Sequence, residues 1–111
     1  MAYDEVLADR IRDLLGPAVT ETVEKRMFGG LAFLVGGNMA VAASGKGGLL
    51  VRVDPAEAAG LIDGVAVAPM VMGGREMRNW LHVTAAHLEA DEVLGGWIER
   101  GMDYARSLPP K

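Results

Sequence analysis

Met27-Phe28-Gly29-Gly30-Leu31-Ala32-Phe33-Leu34-Val35, followed at once by Gly36-Gly37, is the stretch that decides the fold. It is a strand signal interrupted by two glycines, which read as a bulge that bends one long strand. On that reading Met27 and Phe28 belong to the core, because a chain with so few aromatics has little reason to expose one. The competing reading is a backbone kink that presents Lys25, Arg26 and Phe28 to a partner. Gly36-Gly37, extended at most to Asn38, is a tight turn, and Met39 to Ala43 returns antiparallel. Ser44-Gly45-Lys46-Gly47-Gly48 makes a second turn and Leu49 to Val53 a third strand.

Working outward from this meander, residues 4 to 15 carry a helical period. Val6, Leu7, Ile11, Leu14 and Leu15 share a face, and Gly16-Pro17 ends the helix. Downstream, Asp54-Pro55-Ala56-Glu57 spells a helix start: an N-cap, a proline at the first helical position and a capping-box glutamate. That helix runs to about Ile62. Val65 to Met72 is strand-like, with Pro69 marking an edge or a bulge. Gly73-Gly74 turns the chain, and Glu76 to Val83 returns. Residues 91 to 108 form the last helix, with Val93, Leu94, Trp97, Ile98, Met102, Ala105 and Leu108 as its apolar stripe. The expected fold is α+β, in the order α-β-β-β-α-β-β-α. It is a two-layer domain with an antiparallel five-stranded sheet packed against helices on one face.

Composition agrees with a single globular domain spanning residues 1–111. Hydrophobic residues make up 50%, charged residues 23% and aromatics 5% of the 111 residues, so the core is aliphatic. So small a domain has little space for a deep catalytic cavity. There is no cysteine, which removes disulfides and thiolate chemistry and fits a reducing cytoplasm. The acidic start Met1-Ala2-Tyr3-Asp4-Glu5 is unlike a signal peptide, and no apolar run is long enough to span a membrane. A cytoplasmic location and no membrane association are expected.

The ordered set Glu24-Lys25-Arg26-Met27-Phe28-Gly29-Gly30-Leu31-Ala32-Phe33-Leu34, Asn38-Met39, Leu50-Val51-Arg52-Val53, Ala68-Pro69-Met70, Trp97-Ile98-Glu99-Arg100 and Ala105-Arg106-Ser107-Leu108-Pro109 resembles the TfoX N-terminal domain family. The resemblance covers almost the whole chain. It implies an α+β fold like that of type III secretion chaperones, and a small binding or regulatory domain with no catalytic motif. The name-giving proteins regulate natural competence in certain bacteria and carry a helical C-terminal domain after this one. The present chain is expected to be the N-terminal domain alone.

Charge is unevenly placed along the chain. The net charge is −4. Yet segments 25–53 and 75–83 hold Lys25, Arg26, Lys46, Arg52, Arg75 and Arg78 against Glu76 alone, so the sheet is basic and the helices acidic. One reading is an anion or nucleic-acid surface with Trp80 as a stacking platform. The plainer one is charge compensation within the fold and basic blunting of sheet edges. An acidic isoelectric point near 5.1 argues against tight nonspecific nucleic-acid binding. Met70, Met72 and Met77 flank the Gly73-Gly74 turn beside Arg75, Arg78 and Trp80, a pattern suited to an interface with an apolar centre and a basic rim.

Other chemistry is poorly supported. His82 and His87 lack a carboxylate to complete a metal set. Ser44 and Ser107 lack a nucleophile context. Gly45-Lys46-Gly47-Gly48 lacks phosphate-loop spacing. Glu89, Asp91 and Glu92 make an acidic helix start. Arginines 52, 75 and 78 have no base or nucleophile beside them. The first expectation is therefore a non-enzymatic interaction domain without cofactor or metal. Its partner is a protein, a homodimer through the sheet included, and its candidate surface comprises Lys25, Arg26, Arg52, Met72, Arg75, Met77, Arg78 and Trp80. The alternative is a nucleic-acid-binding module that uses a basic sheet face.

Overall fold

The computed structural model describes residues 4–27 and 29–110, apart from the side chains of Met72 and Arg78. Helix α1 spans Glu5–Leu15. Asp4 starts it by accepting the Leu7 N–H at 3.1 Å, which satisfies one of the unpaired donors at a helix start. Gly16 stops it at φ +55°, and a different helical turn begins at once. Pro17 pre-sets φ for a 3-10 turn over Gly16–Glu21.

Six strands follow: β1 (Thr22–Met27), β2 (Gly30–Val35), β3 (Asn38–Ala43), β4 (Leu49–Arg52), β5 (Val67–Met72) and β6 (Arg75–Val83). Between β4 and β5 lies α2 (Pro55–Leu61), and α3 (Asp91–Ser107) closes the domain. The sheet order is β1-β2-β3-β4-β6-β5, and every neighbouring pair is antiparallel. The chain passes from β4 through α2 to the edge strand β5, then returns as β6 between them.

The α+β class and the one-sided helical layer are as expected, but the strand count is corrected from five to six. The glycine pair 29–30 does not bend one long strand. Met27 lies opposite Gly30, so the chain reverses between them and β1 becomes a separate edge strand. The reversal uses Gly29 at φ +75°, a conformation glycine adopts without steric penalty. Gly30 is required for a different reason. A Cβ there would run into the Ala43 carbonyl on β3. The core placement expected of Phe28 lies outside the described residues.

The principal core lies between sheet and helices. Leu31, Phe33, Val41, Leu49, Val51, Leu81 and Val83 of the strands meet Leu7, Ile11, Leu94, Ile98 and Met102 of the helices. Helix α3 crosses the central strands closely: a Cβ on Gly101 would sit 2.5 Å from the Ala40 carbonyl. Ala40 is the extra residue of a bulge in β3, between Val41 opposite Phe33 and Met39 opposite Leu34. Arg10 ties α1 to the start of α3, donating to the Leu88 carbonyl at 2.8 Å and to Asp91 at 2.8 Å. Buried Asn38 donates to the Pro109 carbonyl at 3.0 Å and so anchors the tail beyond α3. Among the described residues, no helix is long and apolar enough to cross a membrane.

Candidate functional site

A sheet with helices on one side usually turns alternating polar residues to water on the other. This one does not. All six residues of β3 are buried, and so are the first four of β2. Residues turned away from the helices form a second apolar cluster on the helix-free face, with the bulge at Ala40 placing Met39 rather than Ala40 among them. Ala32, Met39, Ala42 and Leu50 are buried there, with Met27, Leu34, Met70 and Trp80 packed over them. The cover thus comes from β1, β2, β5 and β6 rather than from a helix. Three of the four centre residues are small or flexible, which leaves room for the outer side chains to pack over them.

Arg52 and Trp80 sit directly opposite one another on β4 and β6. The guanidinium carbon lies 5.2 Å from the centroid of the Trp80 ring and 5.6 Å from that of Tyr104 on α3. Arg52 is therefore a stacked cation held at the end of an interior strand. Its Nε is buried and finds no acceptor among the described residues.

Register sorts the rest of the candidate surface. Lys25 pairs with Ala32 and so belongs to the helix-free face, along with Val23 opposite Leu34. Arg26 pairs with Leu31, whose side chain is in the principal core. Lys25 and Arg26 therefore point to opposite sides of the sheet, and Arg26 leaves the expected surface. Met77 lies opposite Met70, and Arg75 opposite Met72, at the far end of the β5–β6 hairpin. The Met72 and Arg78 side chains lie outside the described residues.

The helical side carries the organised ion pairs. Arg12 of α1 grips Glu24 of β1 with two nitrogens, at 2.7 and 2.8 Å, and also holds Asp9 at 2.6 Å. Arg106 of α3 grips Glu21 at 2.6 and 3.2 Å. These hydrogen bonds hold the Glu24 and Glu21 carboxyls below the ordinary range and push the two guanidiniums further up. Asp63, after α2, accepts the N–H groups of Val65, Ala66 and Val67 at 2.8 to 2.9 Å. Those backbone bonds, Val67 first, lower its pKa too.

Two concavities flank this framework. A groove of about 500 Å³ between α2 and α3 is walled by Asp54, Glu57, Glu99, Arg100, Asp103 and Tyr104. A cavity of about 640 Å³ opens on the helix-free face between the β3–β4 turn and the β5–β6 hairpin. His82 lines that cavity, whereas His87 is exposed in a 3-10 turn. Among the described residues, no three histidine, aspartate or glutamate side chains group as a metal set.

The second cluster and the His82 cavity were not singled out from the sequence. Their signal is the apolar filling of both parities in Gly30–Val35 and Asn38–Ala43, which marks strands covered on two sides. Comparison with curated proteins and with solved structures found no match. A family comparison did find one: residues 13–105 match the TfoX N-terminal domain. The matched span runs from within α1 to within α3 and takes in all six strands and the whole of the second apolar cluster, and on that match the chain belongs to the TfoX N-terminal domain family.

Proposed function

We propose that this domain is a non-enzymatic regulatory module that binds another protein through the helix-free face of its sheet. Membership of the family supports a competence-related regulatory setting. The observation that carries the reading is the second apolar cluster. Met27, Leu34, Met70 and Trp80 cover it incompletely, and Val23 beside it is 67% exposed. Methionine adapts to a partner's shape, and a half-buried tryptophan is a frequent anchor of interface energy. Lys25, in no ion pair among the described residues, supplies a basic rim. The partner that fits is an apolar protein surface with acidic margins, in the reducing compartment that a cysteine-free chain suits.

The nucleic-acid alternative gains less support. It needs several free cations and an open ring on one face. Arg52 and Trp80 are occupied with each other, and Arg26 faces the other way.

The test is site-directed photo-crosslinking in cells. A photoreactive residue replaces Val23 on the proposed face, or Val6 on the outer side of α1 as control. The expected outcome is a discrete protein adduct from position 23 only, lost when Trp80→Ala is added. A second copy of the chain counts as that protein. Equal adducts from both positions, or adducts to nucleic acid, would overturn the reading.

A further inference from the structure

The cavity on the helix-free face joins two chemistries. One wall is apolar, made by Leu50 of β4 and by Ala68, Pro69 and Met70 of β5. The other end is polar and comes from the β3–β4 turn and from β6: Ser44, Lys46 and His82. The volume of about 640 Å³ lies within the range of sites for small organic ligands.

The polar end is unusual in what it leaves unused. Ser44 is only 6% exposed. Its Oγ accepts the Lys46 N–H at 3.1 Å, but among the described residues its hydroxyl donates to nothing. A buried donor with no acceptor is costly unless something fills the role. Lys46 is exposed and its ammonium is in no ion pair among the described residues. His82 Nε2 lies 2.7 Å from the Gly47 carbonyl. A carbonyl can only accept, so that nitrogen carries the hydrogen and Nδ1 is left for another partner. No carboxylate lines the cavity.

This end is also fixed in place. Gly48 has φ +78°, and a Cβ there would meet the Val83 carbonyl and the His82 ring. The turn is drawn tightly onto β6, and Gly47 N–H and Ser44 N–H both bond within it, at 3.1 and 3.0 Å. The Ser44 hydroxyl and the His82 ring are therefore held in place before binding, with Lys46 on the same turn.

We propose that this cavity binds a small amphipathic anion, with an acyl or aromatic body carrying one carboxylate or phosphate head. The body lies on Leu50, Pro69 and Met70. The head takes the Ser44 hydroxyl and the Lys46 ammonium, which together form a charge-assisted site. This inference does not depend on the protein-partner reading. It does place a ligand beside Met70, which also covers the apolar cluster, so occupancy would reach that face.

The test is a titration of the labelled full chain, followed by NMR, with octanoate and octyl phosphate. Octanol and octylamine serve as uncharged and cationic controls of the same body. The expected result is saturable one-to-one binding of at least one anion, with shifts gathered at Ser44, Lys46, His82 and residues 68–71. Lys46→Ala weakens the anion about tenfold and leaves octanol unchanged, as removal of one charge-assisted contact should. Ala68→Trp fills the cavity and removes binding, with Val71→Trp as a second filling variant should the first fail to fold. Whether octanoate or octyl phosphate binds more tightly identifies the head. Absence of saturable binding by both anions, octylamine or octanol binding as tightly as the anions, or full anion affinity in Lys46→Ala overturns the proposal. The crosslinking outcome at Val23 bears on none of these readouts, so the two readings can fail separately.

Discussion

Arg52 lies over the ring of Trp80, its cross-strand partner, with 5.2 Å between guanidinium carbon and ring centroid. Tyr104, 5.6 Å from the same carbon, brings α3 into the contact. One arginine therefore links the end of the fourth strand, the sixth strand and the C-terminal helix. A double-mutant cycle measures this link. Arg52→Met and Trp80→Ala should each alter stability in urea unfolding, and their coupling should be about 0.5–1 kcal/mol, the range for a partly exposed cation–π contact. Trp80→Ala alone should cost about 1–2 kcal/mol, below the ~3–5 kcal/mol of a fully enclosed aromatic. A coupling of zero would remove the stack as a stabilising contact. A loss above ~3 kcal/mol for Trp80→Ala would place the ring in the core and take it away from any partner.

Three glycines of α3 separate helix propensity from packing. Alanine is favoured over glycine in a helix interior by about 1 kcal/mol. Gly95 and Gly96 have open space where a Cβ would stand, whereas at Gly101 the Cβ would meet the Ala40 carbonyl at 2.5 Å. Gly95→Ala should therefore raise the unfolding midpoint. Gly101→Ala should lower it, through a loss of about 1–3 kcal/mol in stability, because backbone cannot rotate away as a side chain could. Thermal unfolding of the two variants gives the signs directly, and equal signs would mean that α3 does not approach β3 as described.

Much of this fold was legible because its signals are local. Asp54 caps α2 by accepting the Ala56 N–H at 2.9 Å, and Gly36 and Gly37, at φ +59° and +85°, turn β2 into β3. Glu57, expected to close a capping box, instead lines the groove facing α3. The separate strand β1 was hidden because Met27 to Val35 reads the same whether a left-handed glycine makes a bulge or a hairpin. Gly16-Pro17 likewise ends an α-helix and begins a 3-10 turn with the same two residues. The site was less legible because a face depends on register. Lys25 and Arg26 must fall on opposite sides of a strand, but which of them shares the apolar face follows only from the pairing of Lys25 with Ala32. His82 reaches Gly47 only once β6 lies beside β4, 35 residues away in sequence.

Two arginines hold the first edge of the sheet to the helical layer. Arg12 to Glu24 joins α1 to β1, and Arg106 to Glu21 joins α3 to the turn just before it. Both pairs are partly open to water; Arg12 to Glu24 should contribute less than about 1 kcal/mol, and both pairs less still at high salt. Arg12→Met should lower stability slightly in 50 mM salt and not measurably in 1 M salt. Hydrogen exchange should show the consequence locally, as faster exchange in β1 with the β3 and β4 amides unchanged. Uniform loss of protection across the sheet would contradict a purely local role.

Asp63 makes the clearest pH prediction. It gathers three successive backbone N–H groups after α2, and these bonds hold its folded carboxyl below the ordinary aspartate value. The unfolded chain therefore binds the proton more readily than the folded one. Stability from this group is fully present above the unfolded pKa and is lost as pH falls through the folded pKa. Asp63→Asn keeps the shape and one acceptor oxygen but removes the charge. The variant should be less stable than the parent at pH 7, and the difference should shrink steadily as the pH falls below the ordinary aspartate value of about 4 and on through the lower folded pKa. Urea unfolding at a series of pH values tests this. A difference that stays constant down to pH 2 would mean that the three N–H groups are satisfied without the charge, and the turn into β5 would then owe its shape to the backbone alone.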